Sequence, residues 1–313
     1  MSFSLSPNWL WAKSAGGPAS YVGYSVATDA SGNSFIAGGF YSPSITFGSF
    51  TLTNTGGGWP DIFLVNYDIN GTVMWAKSAG GTSSDLALSV ALDTFGNIYV
   101  TGMFFSSSIA FGSTTLTNSD ISFVDMFIVK YDVNGNALWA RGAADATGDD
   151  ISYSVTTDAS GNAYIAGLFS GSSITFGSFT LTNAGGSCPS AGDACSDMFL
   201  VKYDSSGTVI WAKKGGGTDI DQASSVAVDA SGNSYVVGFF DSPSITFGST
   251  TLVNSNSSYD LFITKYDPFG NVIWAKGGGD IGAEKTTSVA VDVSGNAYVA
   301  GWFSGPSATF DTS

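Results

Sequence analysis

A short segment recurs five times along this chain and constrains its fold more than any other feature. The copies span Ser25–Phe40, Ser89–Phe104, Ser154–Phe169, Ser225–Phe240 and Ser288–Phe303. In each copy, two apolar runs of strand-forming residues flank an Asp-x-x-Gly-Asn stretch. Asp bonds its own backbone in tight turns, and Gly or Asn accepts a positive φ. Each copy therefore predicts a β-hairpin, and the five copies together predict a repeat protein.

Recurring tryptophans show that each hairpin belongs to a longer unit. They are spaced 64, 64, 72 and 63 residues apart, at Trp11, Trp75, Trp139, Trp211 and Trp274. Each unit reads as four strands, the last ending in Trp-Ala-Lys, and an arm such as Ile174–Asn183 joins the second strand to the third as a predicted hairpin of its own. We predict a single domain over residues 1–313, with repeats at about 11–74, 75–138, 139–210, 211–273 and 274–313, the last completed by residues 1–10.

The third strand of each unit indicates how the units pack. In Phe199–Tyr203 both alternating faces are largely apolar, as in a strand that is covered on both sides. Sheets packed face to face around an axis meet this condition, so the sequence predicts an all-β β-propeller of five four-stranded blades. Phe3–Leu5 and Trp9–Lys13 are the predicted N-terminal strands that close the fifth blade. A larger ring or an open array fits the same pattern.

The repeat also resembles a known family. The pattern Trp-Ala-Lys, Ser-Val-Ala-x-Asp-x-Ser-Gly-Asn-x-Tyr-Val-x-Gly and Asp-x-Phe-x-x-Lys-Tyr-Asp is similar to the SBBP β-propeller repeats of bacterial proteins, and it covers essentially the whole chain. The resemblance implies a binding or scaffolding propeller in a secreted or cell-surface protein, with no fixed catalytic residues. The anchoring region expected at the C-terminus of such proteins does not occur in this sequence.

Charge and residue usage exclude several classes of function. The formal net charge of -15 repels phosphate backbones and anionic lipids, which disfavours nucleic acid and membrane partners. The chain contains no histidine, which excludes Ser-His-Asp and Cys-His catalysis and every His-ligated metal. Aspartates that recur in every repeat do not form the single asymmetric carboxyl pair of a glycosidase. We therefore predict that the protein is not an enzyme.

Both cysteines lie in one long loop of the third unit. A disulfide between Cys188 and Cys195 is the favoured interpretation, with two free thiols as the alternative. The first residues lack the basic flank and apolar run of a secretory signal, so either a signal has been removed or the protein stays inside the cell. Composition and the family resemblance favour a secreted or cell-surface protein.

Two sets of aspartates are predicted to lie on opposite faces of the propeller. The acids of the tight turns, such as Asp93 and Asp229, are expected to bond local backbone N–H groups. The acids that precede each first strand could form a ring near the axial opening and hold Ca²⁺ through oxygen ligands. They are Asp85, Asp150, Asp221 and Glu284, with Tyr21 in the first copy. Alternatively, each acid caps its own loop or pairs with a nearby lysine.

Aromatic residues end three of the long arms on the face with the predicted acidic ring. They are Trp59, Phe123 and Tyr259, and the cysteine loop replaces them in the third copy. Exposed rings beside polar groups suit a sugar, because ring faces stack on apolar sugar faces while amides and carboxylates bond hydroxyls. Packing of each arm on its own blade is the alternative. In the third strands, Lys130, Lys202 and Lys265 are expected to pair with a neighbouring aspartate, and Asn66 takes that place once.

Three functions remain open at this point. The favoured one is a non-enzymatic, extracytoplasmic propeller that binds a glycan or a protein partner on the arm-bearing face. The second is a structural spacer or self-associating subunit of a surface structure, in which the rings are contacts between subunits. The third is a carboxylate-dependent hydrolase.

Overall fold

A computed structural model describes residues 9–16, 19–118, 120–143, 148–185, 195–254 and 258–310. Within these ranges the chain is all-β and contains no helix. The named strands pair antiparallel, and each of the first four repeats forms its own sheet, as the hairpin pattern predicts. No helix in the described ranges is therefore long and apolar enough to cross a membrane.

Each of the first four repeats contributes strands of four kinds, which we name from the centre outward, and an arm, and the fifth contributes an inner and a second strand among the described residues. The inner strands are β1 (Tyr21–Thr28), β7 (Asp85–Leu92), β13 (Asp150–Thr157), β19 (Asp221–Val228) and β25 (Glu284–Val291). The second strands are β2 (Ser34–Phe40), β8 (Ile98–Phe104), β14 (Ala163–Phe169), β20 (Ser234–Phe240) and β26 (Ala297–Phe303). The third strands are β5 (Asp61–Tyr67), β11 (Asp125–Tyr131), β17 (Asp197–Tyr203) and β23 (Asp260–Tyr266). The outer strands are β6 (Val73–Ala79), β12 (Ala137–Gly142), β18 (Val209–Gly215) and β24 (Val272–Gly279).

The arms are two-stranded hairpins, as predicted. Their strands are β3 (Ser44–Phe47) with β4 (Phe50–Thr53), β9 (Ser108–Phe111) with β10 (Thr114–Thr117), β15 (Ser173–Phe176) with β16 (Phe179–Thr182), and β21 (Ser244–Phe247) with β22 (Thr250–Val253). The last strand, β27 (Thr309–Phe310), pairs with the edge of β24. In every complete arm a phenylalanine packs on the third-strand phenylalanine of its blade, with ring centroids 4.9–5.1 Å apart.

The sheets are the blades of a propeller, with strand order inner, second, third and outer in blades 1 to 4. The residues of β5, β11 and β17 are all buried, which confirms that the third strands are covered on both faces. Connections from outer to inner strands and from second to third strands lie on the arm-bearing face. The tight turns lie on the opposite face.

A serine in each inner strand joins neighbouring blades. Every inner strand has a β-bulge just before this serine. The Ser89 hydroxyl of blade 2 accepts the backbone N–H of Val155 in blade 3 at 3.1 Å, and equivalent bonds of 3.1–3.3 Å occur at the other three junctions. The bulge breaks the regular pairing within its blade, so the backbone N–H that follows it is available for the serine of the preceding blade.

The recurring tryptophans form a second contact between blades. The indole N–H of Trp75 in blade 1 donates to the carbonyl of Val133 in blade 2 at 3.1 Å, and Trp139 and Trp211 repeat this bond at the next two junctions. Gly135 in the contacted turn has a φ of 74°, and an added Cβ would lie 3.1 Å from the Trp75 ring. Glycine is required there because the turn needs a positive φ and because the ring packs closely.

The two ends of the array lack part of these contacts. In blade 1, Val26 is 64% exposed, whereas its counterpart Val90 is 5% exposed because blade 1 covers it. In blade 5, Tyr298 is 62% exposed, and β26 has no third strand among the described residues. The predicted strand Phe3–Leu5 lies outside those residues, so closure of the fifth blade remains a prediction.

The segment Trp9–Lys13, predicted as an outer strand, carries no strand pairing in the structure. It nevertheless takes the place of an outer strand beside blade 1. Trp11 stacks on Tyr67 with ring centroids 5.6 Å apart, and its indole N–H donates to Ile69 at 3.0 Å. The strand predicted to pair with it in a composite blade, Phe3–Leu5, lies outside the described residues.

Candidate functional site: a cleft on the arm-bearing face

The turn aspartates have the local role that the sequence predicts. One Asp93 oxygen accepts the backbone N–H groups of Phe95 and Asn97, both at 2.9 Å, and the other accepts the Asn97 amide at 2.8 Å. The same pattern recurs in the other copies. At the exposed Asp68, the backbone N–H of Thr72 is the main cause of a pKa below the usual value. These carboxylates are occupied by their own turns.

The predicted lysine partners are confirmed. The Nζ atoms of Lys130, Lys202 and Lys265 lie 3.4, 3.3 and 3.6 Å from Asp93, Asp158 and Asp229 of the same blades. Each ammonium also lies 4.6–4.9 Å from the centroid of a tyrosine ring. In blade 1 both cross-strand partners change together, since Phe35 replaces the tyrosine and Asn66 replaces the lysine. The lysine and the tyrosine therefore form one unit with the turn.

The four acids of the predicted ring are buried, so they do not line an open channel. Asp85, Asp150, Asp221 and Glu284 are the first residues of their inner strands and are at most 1% exposed. One Asp85 oxygen accepts the Gly81 N–H and the Ser106 hydroxyl, both at 2.8 Å. Asp221 repeats this arrangement with Gly217 and Ser242, at 2.6 and 2.8 Å. At these two junctions each acid caps its own loop, which is the alternative to an open acidic ring.

A second buried acid, which sequence reasoning missed, lies beside each of these. The four acids are the first residues of the third strands, Asp61, Asp125, Asp197 and Asp260, and all are buried. The inner strand of the next blade begins next to them, since the Asp85 N–H donates to the Pro60 carbonyl at 2.8 Å. The recurring Asp-x-Phe at the start of the third strands is the sequence pattern that could have identified these acids. Each junction therefore brings two buried carboxyl groups together.

Burial raises the pKa values of five of these acids, Asp61, Asp85, Asp197, Asp221 and Glu284. The pKa of Asp85 rises to about 6 and that of Asp221 to about 8, mainly through burial, with the charge of the neighbouring Asp61 or Asp197 adding to the effect. At the third junction the Lys214 ammonium lies 2.7 Å from Asp197. No group of three or more His, Cys, Asp or Glu residues is arranged to hold a metal ion in the described ranges. Calcium binding at the four ring acids stays a prediction.

The three predicted ligand-binding aromatics do not come together. The Trp59 side chain is 58% exposed on the arm of blade 1, and Phe123 is half-buried on that of blade 2. Tyr259 is half-buried and packs edge-on against Phe239, with ring centroids 5.0 Å apart. Only Tyr259 lines the cleft described below. Of the predicted disulfide, Cys195 is buried next to β17, and Cys188 lies outside the described residues.

The cleft lies on the arm-bearing face and has a volume of about 260 Å³. It is formed by the first residues of β13, β19 and β25, the ends of β14 and β20, and the segment before β23. Apolar side chains such as Ile151 and Leu168 share its walls with Asp149 and Gln222. Rings, apolar surface and a few polar groups in one concave space are typical of small-ligand sites.

The cleft is also where the repeat loses its symmetry. Each inner strand has a residue just after its first acid that pairs with a residue near the end of the second strand. In blades 1 to 3 these pairs are Val22–Gly39, Leu86–Met103 and Ile151–Leu168. In blades 4 and 5 they become Gln222–Phe239 and Lys285–Trp302. Sequence reasoning missed these positions, although comparing them across the five copies would have shown the change.

The comparisons with known proteins agree with the propeller architecture. No family model matches the chain. It is similar to an uncharacterized WD repeat-containing protein of Acanthamoeba polyphaga mimivirus, 24% identical over 442 aligned residues that cover 97% of this chain and 32% of that protein. WD repeats form propeller blades, so this similarity supports the fold.

Two further similarities cover less or are weaker. The regulatory protein FlaEY of Caulobacter vibrioides is 33% identical over 108 residues, which are 34% of this chain and 11% of that protein. A solved protein of unknown function from Bacteroides caccae shares 15% identity with a TM-score of 0.38, covering 78% of this chain and 62% of that one. The chain thus spans about a third and about a tenth of the two curated relatives.

Proposed function

We propose that this propeller is a non-enzymatic binding module, working outside the cytoplasm, that takes a carbohydrate in the cleft on its arm-bearing face. The observation that carries the proposal is the change of these strand pairs to Gln222–Phe239 and Lys285–Trp302, of which Gln222, Phe239 and Lys285 line the cleft. Packing requirements repeat from blade to blade, so they favour equivalent residues at equivalent positions. A local departure from this repetition, in a cleft that faces solvent, indicates selection for a ligand.

The side chains in the cleft suit a sugar better than a purely apolar ligand. The half-buried Tyr259, which packs on the buried Phe239, offers aromatic surface, and Gln222 offers both an amide donor and an acceptor. One oxygen of Asp149 accepts the Val124 N–H at 3.0 Å, and a carboxylate has further lone pairs that can accept sugar hydroxyls. Apolar sugar faces and hydroxyl groups match these two kinds of surface.

A glycan array followed by calorimetry tests the proposal. We expect Tyr259→Ala to weaken binding of the selected glycan at least about tenfold, equivalent to ~1.4 kcal/mol. Trp59→Ala removes an exposed ring outside the cleft and serves as the matched control, with unchanged affinity. Loss of binding in Trp59→Ala and Phe123→Ala but not in Tyr259→Ala would move the site to the arm tips. Absence of glycan binding by the folded protein would overturn the proposal.

Self-association is the second candidate, and one observation favours it. Tyr298 and Trp302 are exposed on one face of β26 and Phe303 on the other, so blade 5 presents apolar surface on both faces of this strand. Apolar surfaces of this kind often mediate contacts between proteins. Sedimentation velocity over a hundredfold range of concentration checks this function. A monomer throughout would exclude it, whereas growth that Trp302→Ser and Phe303→Ser prevent would support it.

The extracytoplasmic location rests on the composition and on the family resemblance. Cell fractionation of the native host with an antibody against this propeller tests it. Recovery in the medium or on the cell surface is the expected result, and recovery in the cytosol alone would contradict it.

A further inference from the structure

Lys285 differs from the other lysines that contact aromatic rings. Its Nζ atom lies 3.8 Å from the ring centroids of both Phe239 and Tyr259. Lys130, Lys202 and Lys265 contact one ring each, and each also pairs with an aspartate at 3.3–3.6 Å. In the described part of the chain, Lys285 has neither a carboxylate at ion-pair distance nor a hydrogen-bond acceptor. The anion that completes the other three sites is missing from this one.

The surroundings of Lys285 make an anionic ligand favourable. The side chain is half-buried, and burial lowers the pKa of its ammonium, with the more distant Asp241 acting in the opposite direction. A partly desolvated ammonium gains more from an anion than an exposed one does. Contact with two rings restricts the position of the ammonium, so little side-chain freedom is lost on binding.

We propose that the cleft recognises the carboxylate of an acidic sugar residue through the Lys285 ammonium. This inference rests on the proposed carbohydrate binding and names the class of sugar. The carboxylate accepts hydrogen bonds from Lys285, and the apolar face of the sugar ring stacks on Tyr259. Gln222 and Asp149, which belong to the sides of the cleft formed by blades 4 and 3, bond the hydroxyls.

The position of Asp149 limits the ligand to one negative charge near Lys285. A second anionic group that reached the blade 3 side would meet the Asp149 carboxylate. Polyanions with a sulfate or phosphate on every ring are therefore disfavoured relative to a sugar with a single carboxylate. The net charge of -15 adds a long-range repulsion that slows the approach of any anion. Added salt screens this repulsion, so the association rate should rise between 10 and 150 mM salt.

Matched methyl glycosides provide the test. Methyl glucuronide and methyl galacturonide differ from methyl glucoside and methyl galactoside only in carrying a carboxylate in place of a hydroxymethyl group. We expect wild-type protein to bind at least one acidic sugar about tenfold more tightly than its neutral partner, as measured by NMR titration. Lys285→Met keeps an apolar stem on the rings and removes the charge, so the preference should disappear while affinity for the neutral sugar is kept.

A second variant acts in the opposite direction. Asp241→Asn removes a negative charge that interacts with the Lys285 ammonium and repels a bound carboxylate, so affinity for the acidic sugar should rise about two- to fivefold. Circular dichroism and thermal melting confirm that both variants are folded. Because the two changes have opposite expected signs, a general loss of structure cannot reproduce the pattern.

The outcomes separate this inference from the proposed function. Equal binding of acidic and neutral sugars, abolished by Tyr259→Ala, would overturn the acidic-sugar inference and leave carbohydrate binding standing. A preference for the acidic sugar that persists in Lys285→Met would also overturn it, because a group other than Lys285 would then bind the carboxylate. No binding of any of the four glycosides would overturn the acidic-sugar inference, and carbohydrate binding would fall with it only if the glycan array also showed no bound glycan.

Discussion

The buried acids at the blade junctions predict an unusual dependence of stability on pH. Burial raises the folded-state pKa of Asp85 to about 6, from 3.8 in an unfolded chain. The folded protein therefore binds a proton more tightly than the unfolded chain does. Stability is highest when the group is protonated in both states, falls as pH rises above about 4, and levels off above about 6. At about 1.36 kcal/mol per pKa unit, this one group costs ~3 kcal/mol at pH 8.

Other groups shape the rest of the curve. Asp221 has a folded-state pKa of about 8, so its contribution to the free energy of unfolding continues to fall up to that pH. The turn aspartates act in the opposite sense. The pKa of Asp68 is lowered, chiefly by the Thr72 backbone N–H, so its contribution is present at neutral pH and is lost on acidification below about 4. We therefore expect maximum stability between about pH 4 and 5.

Asp85→Asn provides the measurement, because asparagine stays neutral at every pH. Urea unfolding followed by tryptophan fluorescence gives the free energy of unfolding from pH 4 to 8. Wild-type protein should lose about 3 kcal/mol more than the variant over this range. Asp68→Asn, in an exposed turn, is the control and should leave the loss above pH 5 unchanged. Parallel curves for wild type and Asp85→Asn, or an NMR titration of the Asp85 carboxyl with a midpoint near 4, would refute the reasoning.

Three further predictions concern the junctions and the turns. Ser89→Ala should destabilise the protein by ~1–3 kcal/mol in urea unfolding, because the Val155 N–H loses its acceptor; Ser288→Ala, at a junction without a following blade in the described residues, should have a smaller effect. Lys130→Met should cost ~3–5 kcal/mol because it leaves the buried Asp93 without its cation, and an unchanged melting temperature would contradict the importance of that pair. If the junction acids bind calcium, a chelator should lower the melting temperature, and an unchanged melt would remove the calcium prediction.

The repeat pattern was sufficient to predict the blades. Alternating strands, turn aspartates and recurring tryptophans repeat with one period, and each is a local signal that the neighbouring blades reinforce. The turn role of Asp93 and its pairing with Lys130 could also be predicted, because the turn and the third strand belong to the same blade. Tyr259 was identified as a ligand-binding candidate from its place at the end of an arm.

The sequence could not show which residues from different blades meet. Asp61 and Asp85 are separated by the rest of β5, the whole of β6 and two connections, and their adjacency depends on the angle at which one blade packs on the next. The same is true of the cleft, where Lys285 from blade 5 reaches Phe239 and Tyr259 of blade 4. Periodicity determines the structure within a blade because those contacts repeat. Contacts between blades are not periodic in the sequence, so only the tertiary structure shows that the predicted ring acids are buried in pairs with the third-strand acids. It alone also shows that Lys285 has no carboxylate at ion-pair distance among the described residues.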